Sequence, residues 1–418
     1  MPPDEVASNQ KSRLEGAMIE AVARHGFAST TVRELVALAG VSKSTFYDHF
    51  ESKESCFLAT FDEIVAQFTE QVEASYNGAG GIRERLVAAL GRFMDLVVAR
   101  PEAAAFATVD SLTLGSAGIA HRERAWEAFE QMARQYFRNA PSEEEVSDLT
   151  VRAIVAGVSG VVYRRLRSGN VKELPDLVEP LIDWALSYQG ADSEPVRQAV
   201  AAAERPAPKL PEPEESEVSL SWEEPPDSPI SRASLSQRER IIRGAARVVV
   251  ERGYESLSIP AISAAAGTSN QTFYENFNSK REAFIAAYEL LSGKALGVSY
   301  NAFQSAPSKP EAVGTALRTL TEYIAGNPMY ARLAFCELSS AGPPALDRAD
   351  ETMDRLVSLL GPTAGAKEPG GTPRVVLEAT AAGIWFAIQR EIAHDRADAL
   401  PGKAPELAKI ALAPLTGD

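Results

Sequence analysis

The sequence has few cysteines and histidines, and this scarcity excludes several classes of site. Its 418 residues include two cysteines, Cys56 and Cys336, and four histidines. Both cysteines lie within apolar helical patterns, which indicates buried small side chains rather than metal ligands or reactive thiols. No zinc spacing, glycine-rich phosphate loop or nucleophile motif is present. The sequence therefore predicts no metal, no cofactor and no enzymatic activity.

Long apolar runs are missing as well. No stretch reaches the roughly 18 uncharged apolar residues that a membrane span needs. The N-terminal residues MPPDEVASNQKSR lack the apolar segment of a signal peptide. Together with two isolated cysteines, these features predict a cytoplasmic protein that does not contact a membrane.

The chain also lacks an overall positive charge, since its net charge is −15. This value alone argues against nucleic-acid binding, but its distribution matters more. Residues 10–55 carry a net charge of zero and residues 237–282 carry +2, so the remainder of the chain carries −17. An acidic body with neutral to basic segments is compatible with DNA binding and weakens non-specific attraction to DNA.

Strand patterns are absent, and apolar residues recur at helical spacing on both sides of residues 190–236. That segment holds eight of the 26 prolines, with ten acidic and four basic residues. Its composition predicts an extended linker. Trp222 is either an incidental apolar residue in it or a side chain that docks on a folded half.

The stretch Thr31–Lys53, TVRELVALAGVSKSTFYDHFESK, predicts two short helices joined by a tight turn. Thr31 and Glu34 have the spacing of a capping box at the start of the first helix. Gly40 supplies the positive φ that a turn after a helix often requires. Ser42 caps the second helix, whose small polar and basic residues suit a major-groove recognition helix.

This stretch occurs twice, because an offset of 227 residues aligns 10–57 with 237–284 without a gap. Gly26, Gly40, Ser42 and Lys53, for example, recur as Gly253, Gly267, Ser269 and Lys280. Farther along the chain the similarity fades. Gly160 aligns best with Gly383 there, which places both in the penultimate helix of their repeats. The chain is therefore interpreted as a duplication of one unit of roughly 190 residues.

Each copy resembles the DNA-binding domain of the TetR family of transcriptional regulators. The resemblance rests on an Arg-led first helix ending in Gly-aromatic, a Thr/Ser-capped second helix, Ala-Gly, Thr-aromatic-Tyr and Ser-Lys. It implies an all-α fold of two tandem units, each with a three-helix DNA-binding domain and a helical regulatory and dimerisation domain. The expected domains are the first helix-turn-helix domain, its helical domain, the linker, the second helix-turn-helix domain and its helical domain, at 1–55, 56–189, 190–236, 237–282 and 283–418.

The motif assigns DNA contacts to polar and basic residues of both copies. In the first copy these are Arg33, Ser42, Lys43, Ser44, Thr45, Tyr47, His49 and Lys53. In the second copy they are Ser269, Asn270, Gln271, Thr272, Tyr274, Asn276 and Lys280. Lysine suits guanine or phosphate and Asn/Gln suit adenine, so the two copies are expected to prefer different bases. Pro260 replaces Arg33 in the second copy and removes a phosphate contact.

The resemblance also implies dimerisation through the last two helices of each copy, expected at 145–168 with 174–188 and at 372–394 with 404–413. The leading hypothesis is a pseudo-dimer within one chain that binds an asymmetric operator in double-stranded DNA. The competing arrangement is a homodimer with four DNA-binding domains.

A small-molecule effector is implied for the helical bodies. Aromatic residues favour an apolar one, and the candidates are Phe106, Trp126, Phe129, Tyr163, Tyr323, Phe335 and Trp385. The resulting prediction is a DNA-binding regulator, by family default a repressor released by its effector. The alternative is an interaction or ligand-binding protein in which one or both helix-turn-helix domains no longer bind DNA.

Overall fold

The computed structural model describes residues 3–78, 80–139, 146–208, 236–361 and 372–416. These residues form α-helices joined by short turns and 3₁₀ segments, and the described part of the chain contains no strand. The chain divides into two compact units. The first comprises Met1–Gln189 and Pro373–Gly383, and the second comprises Gly190–Thr372 and Ile384–Asp418. This is the all-α architecture that the sequence predicts.

The first unit begins with a three-helix domain and continues into a helical body. Its helices are α1 (Pro3–His25), α2 (Val32–Ala39), α3 (Lys43–His49), α4 (Lys53–Gly78), α5 (Ile82–Ala99), α6 (Pro101–Thr108), α7 (Gly115–Asn139), α8 (Asp148–Ser168) and α9 (Val178–Leu186). The first helix begins earlier than the sequence predicts, at Pro3 rather than Lys11. Proline is tolerated in a first helical turn, and Glu5 places negative charge near the positive end of the helix dipole.

The second unit repeats this order with one additional helix in front. Its helices are α10 (Glu194–Glu204), α11 (Gln237–Arg252), α12 (Ile259–Ala266), α13 (Asn270–Asn276), α14 (Lys280–Ser305), α15 (Lys309–Gly326), α16 (Pro328–Arg332), α17 (Pro343–Leu360), α18 (Arg374–Ala393) and α19 (Leu400–Leu412). The residues of α18 up to Gly383 belong to the first unit. Between α16 and α17, Leu333–Glu337 form a π-helical turn and Leu338–Ala341 a 3₁₀ turn.

The 227-residue offset extends further along the structure than along the sequence. Helix α4 begins at Lys53 and ends at Gly78, and α14 begins at Lys280 and ends at Ser305, so both ends keep the offset. The same holds for both ends of α5 and α15. Helix lengths are therefore preserved where the side chains have diverged. Helix α4 also continues across the expected domain boundary at 55/56, and α14 continues across the one at 282/283.

The expected linker contains a helix, α10, which corrects the prediction of an extended segment from residue 190 onwards. Val196, Ala199, Ala202 and Ala203 are buried on one face of it. This face packs against α15 and α19. Alanine favours helix strongly, and the proline and acidic bias of the linker is concentrated after Glu204. Residues 209–235, including Trp222, lie outside the described part of the chain.

Within the first unit, the N-terminal half of α18 packs closely on α8. A Cβ atom added to Gly157 would lie 2.5 Å from the Ala379 carbonyl oxygen, and one added to Gly383 would lie 2.6 Å from that of Ala153. The contact is reciprocal when Gly157 is paired with Gly383 and Ala153 with Ala379, each 226 residues apart. Gly383 therefore corresponds structurally to Gly157, and the alignment with Gly160 is wrong by three residues.

No helix among the described residues combines the length and apolar character needed to cross a membrane.

Candidate nucleic-acid interface

The turn before each recognition helix has the same backbone geometry in both repeats. Gly40 and Gly267 both adopt φ +62° and ψ +40°, a left-handed conformation that glycine takes without steric cost. The next amide of each turn donates to a helix carbonyl, Val41 to Val36 at 3.0 Å and Thr268 to Ser263 at 2.9 Å. This pattern ends the second helix and fixes the start of the third.

Serine caps each recognition helix. Ser42 Oγ accepts from the Thr45 amide at 3.0 Å and lies 2.9 Å from the Thr45 hydroxyl. Ser269 and Thr272 make the same two contacts, both at 3.0 Å. These four predicted DNA contacts thus already share hydrogen bonds that set the conformation of the helix, and their hydroxyl groups can bind phosphate only alongside that role.

Thr31 caps α2, with the Glu34 amide donating to its Oγ1 at 3.3 Å. The Glu34 carboxylate lies 3.1 Å from His25 Nε2, so it joins α1 to α2. In the described structure a full capping box is found instead at Ser236 and Glu239, where α11 begins. Arg33 in the first turn of α2 is exposed, as is Pro260 at the matching position of α12.

The outer face of α3 presents side chains that can reach DNA. Lys43, Ser44 and Tyr47 are exposed, and the tyrosine retains 51% of its accessible surface. The Lys43 ammonium lies 5.8 Å from the centre of the Tyr47 ring. His49 is partly exposed at the end of the helix. On the inner face, Phe46 and Phe50 are buried and anchor α3 to the core.

The outer face of α13 carries amides where α3 carries Lys43 and Ser44. Asn270 and Gln271 are exposed, and Tyr274 retains 61% of its accessible surface. Gln271 Nε2 donates to the Glu275 carboxylate at 3.1 Å. Asn276 donates from Nδ2 to the Thr272 carbonyl at 2.9 Å, so its side chain turns back along its own helix.

The two predicted phosphate-binding lysines are engaged inside the protein. Lys53 Nζ donates to the Phe27 carbonyl at 2.8 Å and to the Thr30 carbonyl at 2.9 Å, and it lies 4.2 Å from the centre of the Phe27 ring. Lys280 Nζ donates to the Leu257 carbonyl at 2.7 Å. Both lysines therefore tie the start of the fourth helix to the loop that precedes the second helix.

Two arginines on the first helices were not among the predicted site residues. Arg13 donates to the Gly40 carbonyl at 3.3 Å. Arg238 donates to the Asn276 carbonyl at 3.1 Å and lies 4.3 Å from the centre of the Phe277 ring. They bring positive charge to opposite ends of the recognition helices. In the sequence, the signal was a basic residue in each first helix, but its direction depends on helix packing.

The body of the first unit contains a cavity of about 190 Å³. Apolar side chains of α4, α5, α7, α8 and α9 form most of its wall, including Trp126 and Phe129. Arg122 also lines it, is 4% exposed and lies 5.0 Å from the centre of the Trp126 ring. Burial lowers the pKa of the Arg122 guanidinium to about 10, so it still carries its charge at neutral pH. Phe106 stacks on Phe57 at 4.0 Å and is not among the lining residues.

Helix α4 connects this cavity to the DNA-binding domain. Its first residue, Lys53, holds the loop before α2, and its middle residues Phe61, Ile64, Val65, Phe68 and Val72 line the cavity. A movement of the cavity wall would therefore shift the helix that positions α3.

The matching region of the second unit is filled by aromatic and polar side chains. Tyr288 is fully buried and donates from its hydroxyl to Thr352 Oγ1 at 2.8 Å. Phe335 lies 4.3 Å from Trp385, and Tyr330 lies 5.8 Å from Tyr323, measured between ring centres. Three of the predicted effector contacts, Tyr323, Phe335 and Trp385, thus belong to this packed cluster.

Among the described residues, no group of three or more histidine, cysteine, aspartate or glutamate side chains is arranged to hold a metal ion.

Comparison with known proteins identifies both helix-turn-helix regions. Residues 17–60 and 241–287 match the model of the family described as bacterial regulatory proteins, tetR family. The fatty acid metabolism regulator protein of Bacillus subtilis is 27% identical over 81 residues, which are 19% of this chain and 42% of that protein. The transcriptional repressor AcnR of Corynebacterium efficiens is 37% identical over 75 residues, 18% of this chain and 38% of AcnR.

The matched stretches thus span less than half of either relative. Among solved structures, the fatty acid degradation regulator FadR of Bacillus halodurans aligns with 42% of this chain and 94% of its own, at 18% identity and a TM-score of 0.40.

Proposed function

The chain belongs to the TetR family of bacterial regulatory proteins, and from that premise we propose that it is a transcriptional regulator that binds one DNA operator through both of its helix-turn-helix domains. The observation that carries the proposal is the duplicated turn. Two glycines with the same left-handed conformation precede two serine-capped helices, each with an exposed tyrosine at the same position. Exposed aromatic and polar side chains on such a helix suit contacts with phosphates and base edges.

The operator is asymmetric in this proposal. Lys43 on α3 suits guanine or phosphate, whereas Asn270 and Gln271 on α13 suit adenine. Arg33 offers a phosphate contact that Pro260 cannot make. The two half-sites therefore differ in base sequence, and the first half-site contributes more to the salt dependence of binding.

We further propose that the two repeats pair within one chain. The close packing of Gly157 against Ala379 and of Gly383 against Ala153 supports this, because reciprocal contacts are characteristic of two-fold related helices. Trp184 Nε1 also donates to Thr380 Oγ1 at 2.9 Å in the first unit. The resulting particle has the mass of one chain, 44.9 kDa, and two DNA-binding domains.

The effector site of the proposal is the cavity of the first unit. Its wall is mostly apolar, so an effector with an apolar body fits it, and Arg122 can pair with a negative group on that effector. The relative named as a fatty acid metabolism regulator is consistent with such a ligand. Binding would displace α4 and change the position of α3, which releases the operator of a repressor.

Selection from a library of random-sequence DNA duplexes tests the function. The expected product is a site with two different half-sites about one helical turn apart, bound less tightly as salt increases. A perfect palindrome would contradict the asymmetric assignment. No selected sequence at low salt would contradict DNA binding itself and favour an interaction protein with this fold.

A further inference from the structure

Helix α8 carries two arginines at positions where α18 carries two glutamates. The reciprocal glycine contacts set the correspondence between the helices at 226 residues. With this offset, Arg152 corresponds to Glu378 and Arg165 corresponds to Glu391. The two helices that pack through the same small residues therefore have opposite charges at these two positions.

One of these positions forms an ion pair inside the first unit. Arg165 Nη1 donates to Glu378 Oε2 at 3.0 Å, and Glu378 is 3% exposed. Arg374 on the same helix donates to the other carboxylate oxygen at 3.0 Å, and Arg164 lies 3.8 Å from it. A carboxylate that is so fully buried requires opposite charge nearby, because its desolvation is costly.

The same contact would fail between two identical repeats. Because Arg152 corresponds to Glu378, a pair of first repeats would place Arg165 opposite Arg152 of the other copy. A pair of second repeats would place Glu391 opposite Glu378 of the other copy. Arg164 corresponds to Arg390, so the longer contact at 3.8 Å does not discriminate between pairings.

We infer that these charges make the surface of α8 selective for the second repeat's penultimate helix and unfavourable for a second copy of α8. The partner that fits this surface is a helix with small residues at its centre and a glutamate at the position of Arg152. The inference rests on the pairing of repeats proposed above and adds the reason why like repeats of two chains do not associate. Duplication alone would leave two repeats free to pair with copies of themselves.

Charge reversal in the full-length chain tests this inference. Arg165→Glu places a carboxylate against Glu378, so the midpoint of thermal unfolding should fall by at least about 6 °C. The same variant makes a pair of first repeats attractive, because the introduced carboxylate would then face Arg152 of another chain. Its mass in solution should therefore rise toward twice 44.9 kDa. Arg165→Gln is the matched control, which weakens the ion pair without favouring the new partner.

The double variant Arg165→Glu/Glu378→Arg restores opposite charges. Recovery of both the single-chain mass and most of the lost thermal stability supports the inference. An Arg165→Glu variant with unchanged mass and stability, or a double variant no better than the single ones, overturns it. The proposed intrachain pairing is tested separately by the wild-type mass. A wild type with the mass of two chains contradicts that pairing, while rescue by the double variant would still establish the charge selectivity.

Discussion

Helices α4 and α14 have the same length and the same register, yet they are used differently in the two units. Phe61, Val65, Phe68 and Val72 of α4 line a cavity. The residues at the same positions of α14 are Tyr288, Ser292, Ala295 and Ser299, and all four are buried. Tyr288 fills space and makes a hydrogen bond with Thr352, whereas Phe61 borders an open volume. The comparison indicates that one repeat kept room for a ligand while the other became a packed scaffold.

The fifth helices differ for a related reason. In α15, Gly314 allows α10 to approach so closely that an added Cβ atom would lie 2.1 Å from the Ala199 carbonyl oxygen. The matching residue of α5 is Val87, which is partly exposed. Helix α10 thus packs on the second unit by using a position where the first unit has a branched side chain.

The largest expected effect comes from giving the second unit the residue of the first. Gly314→Val would force the backbone of α10 away from α15, because a carbonyl oxygen cannot yield as a flexible side chain can. We expect a loss of about 3 kcal/mol or more in the free energy of unfolding, above the usual range for overpacking. Urea denaturation measures this loss, and limited proteolysis within 190–208 reports whether α10 has detached.

Val87→Gly is the matched control in the first unit. It should cost roughly 1–2 kcal/mol from helix propensity and lost apolar contact, and it should not expose residues 190–208. Equal costs for the two variants would mean that the close approach of α10 contributes little to the second unit.

The second prediction addresses the difference between the recognition helices. Lys43→Asn gives α3 the residue that α13 has at the same position, and it removes one positive charge. Affinity for the selected operator should fall by about 1–3 kcal/mol, and the salt slope should decrease by about 1. Fluorescence anisotropy with the selected duplex at several salt concentrations measures both.

Asn270→Lys is the reciprocal variant and should steepen the salt dependence. A Lys43→Asn variant with unchanged affinity and slope would show that α3 does not contact this operator through Lys43.

The third prediction sharpens the difference between cavity and packed core. Ala89 lines the cavity, and Ala316 has the same position in the second unit. Ala89→Leu should fill part of the cavity and weaken binding of decanoate, a probe with an apolar chain and one negative charge, by roughly tenfold or about 1.4 kcal/mol. Isothermal titration measures this change. DNA affinity without decanoate should stay the same.

Ala316→Leu is the control and should leave decanoate binding unchanged. Similar losses in both variants would indicate a general effect on stability. Absence of decanoate binding by the wild type, with operator binding intact, would contradict the effector assignment alone.

The sequence was informative where local chemistry determines structure. Gly40 and Ser42 predicted the turn and the cap because both roles depend on one residue and its immediate neighbours. The role of Lys53 required the structure, since its carbonyl partners lie 23 and 26 residues earlier. Helix α10 was missed because the composition of 190–236 was averaged over a helical part and a proline-rich part.

The cavity was only partly predictable for the same reason. Trp126 and Phe129 line it, but Phe106 packs against Phe57, and nothing in an aromatic residue's own sequence context distinguishes these outcomes. Only the packing of neighbouring helices determines which aromatic side chains border open space.

The smallest expected effect concerns Asp110, whose counterpart is Glu337 in the second unit. Burial raises the pKa of the Asp110 carboxyl from 3.8 to about 7, whereas Glu337 accepts a hydrogen bond from the Tyr254 amide at 2.9 Å. Between these two pH values the unfolded chain has lost this proton while the folded chain retains it. Stability from this group is therefore present below about pH 4 and decreases until about pH 7.

Asp110→Asn removes the titration, so the variant should gain on the order of 1 kcal/mol relative to wild type at pH 8 compared with pH 5. Urea denaturation at the two pH values measures the difference. Glu337→Gln is the control, since its amide oxygen can still accept from Tyr254 and no comparable gain is expected. If the Asp110→Asn variant and the wild type lost the same stability between pH 5 and pH 8, the carboxyl of Asp110 would be ionised in the folded state across that range, and the first unit would be as well adapted to its buried acid as the second.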